Sequence, residues 1–194
     1  MILPDSTLEL THYYIKNTLE SGDIAVDATA GNGHDTLFMA QLVGENGKVY
    51  AFDIQRSAIE NTEKLLDKNG MLDRAQLVCD GHQNMKNYIA EDRKVKAVMF
   101  NLGYLPGGDH SITTKTETSS AAIQAALDLL CDDGIITIGI YYGKDTGFDE
   151  KNGVTEFLKS LDSKKYNILM HDYINRPNCP PLAAVLQKKS NDRR

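Results

Sequence analysis

Nowhere do the 194 residues run apolar for the roughly 18 to 20 positions that cross a bilayer. Met1-Ile-Leu-Pro-Asp5 also lacks a basic stretch followed by an apolar one. These absences argue against a membrane or exported protein and predict a cytoplasmic one. Cysteine is scarce: Cys79, Cys131 and Cys179 are odd in number and about fifty residues apart, which fits neither a disulfide framework nor clustered zinc ligands. His12, His34 and His171 have no metal-ligand spacing, so no metal is expected. Positive charge is also short. The 21 Lys and Arg against 27 Asp and Glu leave a net charge of -6, which disfavours broad electrostatic attraction to a polyanion. The local basic groups Lys86, Arg93, Lys94, Lys96 and Lys188, Lys189, Arg193, Arg194 read as solvated faces or tails. Repeats, low-complexity tracts and linkers are missing, so the chain is expected to form a single domain over residues 1–194. With 41% hydrophobic content it can bury one α/β core.

What is present starts with Asp27-Ala-Thr-Ala-Gly31-Asn-Gly33-His-Asp35-Thr36. It lies between the apolar Ile24-Ala-Val26 and the helix-like Leu37-Phe-Met-Ala-Gln-Leu-Val43, so a strand passes through a glycine turn into a helix. A second strand, Lys48 to Phe52, ends in Asp53, about 20 residues after the glycines. An acid there accepts hydrogen bonds from ribose hydroxyls in nucleotide-binding α/β sheets.

The remaining elements follow from periodicity. Ser6-x-x-Glu9 has the form of a capping box, and Leu8, His12, Ile15 and Leu19 continue at helical spacing up to Ser21-Gly22. Strands are predicted at 24–28, 48–53, 75–79, 95–100 and 135–141, and helices at 34–43, 55–69 and 117–131, with a polar helix after His82. Asp132-Asp133-Gly134 reads as the turn into the fifth strand. Val154, Phe157, Leu158 and Leu161 mark another helix. Tyr166 to Ile174 and Leu182 to Gln187 are consecutive strands with no room for a helix between them, so they should pair antiparallel, while the earlier strands run parallel.

Five parallel strands, a terminal hairpin and polar residues at the strand ends together resemble the class I S-adenosylmethionine methyltransferases. The resemblance implies a Rossmann-like α/β fold: a seven-stranded, mostly parallel sheet with an antiparallel C-terminal hairpin and helices on both faces. Ligands in such sheets bind beyond the carboxyl ends of the strands at the switch between strands one and four, which here gathers Asp27 to Thr36, Asp53, Asp80 and Asn101. The cofactor implied is S-adenosylmethionine. Gly31 and Gly33 let backbone approach it without a Cβ in the way. Asn32, Asp35 and Thr36 meet the methionine amino and carboxylate groups at a helix start that favours anions. Asp53 takes both ribose hydroxyls, Asp80 the adenine amino group, and Gly81 and His82 the base edge. Asp27, Thr29, Gln55 and Asn101 complete the cofactor set. A nicotinamide-binding fold competes, but three residues after Gly33 stands Thr36 in place of a third glycine, and that fold does not end in a hairpin.

After strand four comes Asn101-Leu-Gly-Tyr104-Leu-Pro106-Gly-Gly-Asp109-His110. An Asn and an aromatic here resemble the way amino-group methyltransferases hold a nitrogen. Ring-carbon methylation of pyrimidines more often needs a cysteine nucleophile, and this loop has none. With Tyr141-Tyr-Gly143 and Asn175-Arg-Pro-Asn-Cys-Pro-Pro181, these motifs resemble, in order from end to end, a small bacterial family labelled rRNA methylases. Membership implies methylation of the aminomethyl group of 5-aminomethyl-2-thiouridine at the tRNA wobble position. Asn101 would orient the amine, Tyr104 would contact the nucleoside, and Asp109 or His110 would receive the proton. Lys115, Tyr142 and Arg176 are the candidate RNA contacts; of Tyr141 and Tyr142, strand alternation sends one to the core and one to the cleft. The partner expected is tRNA at its anticodon, with no membrane and a possible homodimer to widen the RNA surface. The readings kept beside it are an rRNA or small-molecule N-methyltransferase, a non-catalytic S-adenosylmethionine- or RNA-binding protein, and an NAD-dependent oxidoreductase.

Overall fold

The computed structural model describes residues 3–90, 92–103, 114–143 and 147–190. Seven strands form one sheet: β1 (Ile24–Asp27), β2 (Lys48–Phe52), β3 (Ala75–Val78), β4 (Val95–Leu102), β5 (Leu130–Ile140), β6 (Tyr166–His171) and β7 (Leu182–Lys188). Five helices accompany them: α1 (Thr7–Lys16), α2 (His34–Val43), α3 (Arg56–Lys68), α4 (Thr116–Leu129) and α5 (Phe148–Ser160). The strand order is β3-β2-β1-β4-β5-β7-β6, with the first five strands parallel and β7 antiparallel to both of its neighbours. The chain starts mid-sheet, works outward to β3, and returns to place β4 on the other flank of β1. The cleft that this reversal opens lies between the carboxyl ends of β1 and β4.

Both faces of the sheet are covered because the central strands are apolar at consecutive positions, which point to opposite faces. One cluster, with Phe52, Phe100, Val98 and Ile138 of the strands, packs under α4, α5 and the short 3-10 turn His82–Asn87. The other, with Ala25, Val49, Met99 and Ile135, packs under α1, α2 and α3. Phe52 and Phe100 are fully buried, and each such side chain contributes roughly 1.5–3 kcal/mol. The α1 cap forms as its sequence predicts, Ser6 accepting from the Glu9 N–H at 3.1 Å, although the Glu9 carboxylate reaches the Asp5 N–H, one residue before the cap. In α3, Ala58, Ile59, Thr62 and Leu66 are the buried stripe.

Two strand boundaries and one helix type differ most from the sequence reading. The fifth strand begins at Leu130, well before Ile135, because the chain pairs first at Leu130 with Val95 and then bulges, with Asp133 at φ 57°, before rejoining at Ile135 with Ala97. The sixth strand stops at His171, where its pairing with β7 ends, and Ile174 beyond it is 92% exposed. The polar helix after His82 is a single 3-10 stretch. Among the described residues, no helix is long and apolar enough to cross a membrane.

Candidate active site

Asp27 ends β1 and is fully buried. Its Oδ2 accepts from the Thr36 hydroxyl at 2.6 Å and its Oδ1 from the Thr29 N–H at 3.2 Å, so the carboxylate ties the strand end to the first turn of α2. Thr36 is also fully buried. The structure engages both side chains in holding the glycine turn against the start of α2. Between them the turn needs Gly33, which has φ 83°, where a Cβ would lie 2.8 Å from the Thr62 backbone.

Burial first, and then the charge of Asp35 and more weakly Asp53, push the Asp27 carboxyl up to about 7. The native protein keeps this proton to near neutrality while an unfolded chain loses it near pH ~4. The group's contribution to stability is therefore complete below that value and is lost as pH rises through 7. The same linkage bears on ligands. A cation bound beside Asp27, Asp35 and Asp53 favours ionised Asp27, so its binding releases a proton. Affinity for S-adenosylmethionine should be about five- to tenfold weaker at pH 6 than at pH 8, and affinity for the uncharged-sulfur product should change less. Calorimetry at the two pH values checks this; equal pH dependence for the two ligands would contradict it.

Asp53, at the end of β2, accepts the Gly31 N–H and the Gln55 N–H, each at 2.9 Å, which clamps the glycine turn to the start of α3. A carboxylate has about four lone-pair positions, so the half-exposed group retains acceptors for a diol. Asn32 is exposed and accepts from the Asn61 amide at 3.2 Å. After β3, Asp80 accepts from the Gly81 N–H at 2.7 Å, the Asn84 amide at 3.0 Å and the Tyr88 hydroxyl at 2.9 Å. The bonds from Asn84 and then Tyr88 hold its carboxyl below the usual carboxylate range. Gly81 is buried, as is His82, whose Nδ1 lies 3.1 Å from the Ala28 carbonyl. Burial pushes the His82 pKa down, so the ring is neutral, donates from Nδ1 and leaves Nε2 as an acceptor.

Asn101 sits in the last turn of the β4 pleat. Its N–H donates to the Thr29 hydroxyl at 2.8 Å, joining β4 to the glycine turn, and its side-chain amide donates to Asp35 Oδ2 at 2.7 Å. The other Asp35 oxygen lies 2.7 Å from His12 Nε2. Both Asp35 oxygens are thus engaged by the protein, a role that sequence reading did not give it. Asn101 pairs with Gly139 in β5, and a Cβ at Gly139 would come within 3.0 Å of Asn101 Oδ1. Only glycine fits there, because Asn101 Oδ1, the Tyr141 ring and the Thr7 methyl already close around the position. Tyr141, two residues on, is 38% exposed, borders the same position, and has its hydroxyl pushed up in pKa by burial and then by the Asp35 charge.

Tyr142, the tyrosine assigned to substrate from sequence, packs against the opposite core cluster, with Phe148 edge-on at 5.4 Å and Lys151 Nζ 4.4 Å from its ring centre. Tyr141 was placed only as one of two alternatives. The register of Asn101 against Gly139 is the signal that singles it out, and a lone strand does not reveal it. Lys115 caps α4 and is exposed. Arg176 is exposed, stacks 3.9 Å over Tyr173, donates from Nη1 to the Asp5 carbonyl and has Nη2 4.0 Å from Asp5 Oδ1. Tyr104, Asp109 and His110 lie outside the described residues. The ends of that stretch are clasped: Gly103 N–H donates to Thr114 Oγ1 at 2.9 Å, and Thr114 in turn donates to the buried Glu150 at 2.7 Å. No group of His, Cys, Asp and Glu among the described residues could hold a metal ion.

Comparison with known proteins agrees with this geometry. The model of the "Putative rRNA methylase" family matches residues 49–187. The chloroplastic tRNA (mnm(5)s(2)U34)-methyltransferase of Arabidopsis thaliana is 36% identical over 190 residues, covering 94% of this chain and 69% of that protein. A crystal structure described as a putative rRNA-methylase from Clostridium thermocellum superposes with TM-score 0.93 at 54% identity, covering 96% of this chain and all of that one (100%). A putative methyltransferase from Streptococcus mutans, solved in complex with SAH, superposes with TM-score 0.87 at 36% identity, over 97% and 99% of the two chains. A glycine turn, a ribose-type acid and a cluster of carboxylates suit a cofactor that carries a diol, an ammonium and a sulfonium. The chain belongs to the "Putative rRNA methylase" family and is a class I methyltransferase whose cofactor is S-adenosylmethionine.

Proposed function

We propose that the enzyme methylates an RNA amine, namely the aminomethyl group of 5-aminomethyl-2-thiouridine at the wobble position of tRNA. The observation that carries this reading is the orientation of Asn101. Asp35 can only accept hydrogen bonds, so it faces the Asn101 NH2 and turns Oδ1 the other way, to the side of Gly139 and Tyr141. Among the described residues nothing donates to that oxygen. A primary amine whose N–H is accepted there has its lone pair held in one direction. The name of the Arabidopsis relative, which carries the methylaminomethyl form of this nucleoside at tRNA position 34, supports the choice of substrate.

S-adenosylmethionine supplies an electrophilic methyl carbon and departs as the neutral thioether. Asn101 orients the amine and Tyr141 bounds its position; desolvation of the bound amine disfavours its ammonium form and keeps the lone pair available. Positioning two bound reactants in this way can contribute on the order of 7–11 kcal/mol. The nitrogen–carbon bond forms as the carbon–sulfur bond breaks, and the amine proton leaves to solvent or a neighbouring base. Lys115 and Arg176 are assigned to RNA phosphate or base contacts, and a cytoplasmic homodimer is part of the same proposal. Sedimentation at micromolar protein tests the dimer.

The substrate is tested with labelled S-adenosylmethionine and, in parallel, bulk tRNA and bulk rRNA from a strain lacking the protein, read by nucleoside mass spectrometry. The expected result is conversion of 5-aminomethyl-2-thiouridine to its methylaminomethyl form. Label found in rRNA alone would overturn the assignment.

A further inference from the structure

We propose that His12 is a positioning residue for methyl transfer, acting on the acceptor amine through Asp35 and Asn101. The proposal rests on the amine-methyltransferase reading above and names a residue outside every site motif of the sequence. His12 belongs to α1, which the buried Thr7, Thr11 and Ile15 seat on the sheet. The Thr7 hydroxyl donates to the Pro181 carbonyl at 2.7 Å, so the helix is anchored at the carboxyl end of the sheet. From that base, His12 reaches α2. Its ring stacks on Phe38 with centroids 4.0 Å apart and planes 11° from parallel, and Nε2 meets Asp35 Oδ1 at 2.7 Å.

Three features make this more than a tie between two helices. First, the chain of donors has one sense. A carboxylate only accepts, so His12 Nε2 carries a proton in either charge state of the ring, Asp35 receives it, and the second Asp35 oxygen must receive the Asn101 NH2. The identity of the middle group thereby decides which end of the Asn101 amide faces Gly139 and Tyr141. Second, both contacts are short and partly shielded, with His12 28% and Asp35 13% exposed at the side chain, where hydrogen bonds to a charged group are strong. Third, Asp35 has a rotatable side chain in the first turn of α2. Without His12, one of its oxygens has no described partner, and the carboxylate is free to turn away from Asn101. An amide so released can flip and offer NH2 where the amine needs an acceptor.

The test uses purified full-length protein with three substitutions. His12→Ala removes both stacking and donor. His12→Phe keeps a ring against Phe38 without a donor. His12→Gln places an amide N–H near the position of Nε2. For methylation of tRNA, kcat should fall about tenfold in His12→Ala and His12→Phe and return to within about threefold in His12→Gln. KM for tRNA and affinity for the thioether product should stay within about twofold in all three. The side-chain amide signals of Asn101 in 15N-labelled protein should shift in the first two variants and stay near the wild-type positions in His12→Gln. Wild-type kcat in His12→Ala, or rescue by Phe as well as by Gln, would overturn the proposal. Should the wild-type enzyme fail to methylate tRNA, the substrate reading falls, while the amide signals still decide whether His12 governs Asn101.

Discussion

Asn101→Ala is expected to lower turnover by about 10²-fold, with affinity for the thioether product changed by no more than about threefold. The amine then loses the acceptor that aims its lone pair, while the glycine turn and Asp53 that bind the cofactor stay in place. The Asn101 N–H to Thr29 bond is a backbone contact and survives the substitution. Asp35 Oδ2 loses its partner in a half-buried position, so a fall in stability of roughly 1–3 kcal/mol accompanies the kinetic loss and is measured separately by denaturation. Asn101→Asp should be no better, because it sets a second carboxylate against Asp35 at hydrogen-bond distance. Single-turnover methylation of tRNA is the measurement. Full activity in Asn101→Ala would remove the basis for an amide-held nucleophile.

Asp53→Ala is expected to weaken S-adenosylmethionine about 30- to 100-fold, the equivalent of about 2–3 kcal/mol for hydrogen bonds made to a charged group. Two losses combine. The diol loses its acceptors, and the Gly31 and Gln55 N–H groups, each held at 2.9 Å by the carboxylate, lose the clamp that fixes the turn. Asp53→Asn keeps one carbonyl acceptor and should fall between the two. Calorimetry with the cofactor and its thioether product reads both. Unchanged affinity in Asp53→Ala would mean that the ribose is held elsewhere. A pyridine dinucleotide is not expected to bind: Thr36, which occupies the position of the third glycine in that fold, uses its hydroxyl on buried Asp27, and β7 runs antiparallel beside β5.

Much of this was legible before any coordinates. Short apolar runs over 24–27, 48–52 and 95–102, bounded by glycine turns and by helical stripes of period 3.6, are local information. It located the strands, and with them the ends that carry Asp27, Asp53, Asp80 and Asn101. The short gap before Leu182 required an antiparallel hairpin, because no crossover helix fits there. Boundaries failed where pairing overrides periodicity, as at Leu130, whose strand starts early because Val95 lies opposite it.

Roles within the site belong to the tertiary structure. Asp35 reads as a cofactor ligand because it opens a helix after a glycine turn; the structure adds that its oxygens meet His12, 23 residues earlier, and Asn101, 66 residues later. Thr36 looked available and is buried against Asp27. Tyr141 borders the Gly139 position because Asn101 registers with Gly139 across two strands. The physical reason is the same in each case. Residue type and spacing specify which chemistry a strand end carries, but the partner of each polar group is set by sheet register and by how helices dock, and those join positions far apart in the chain.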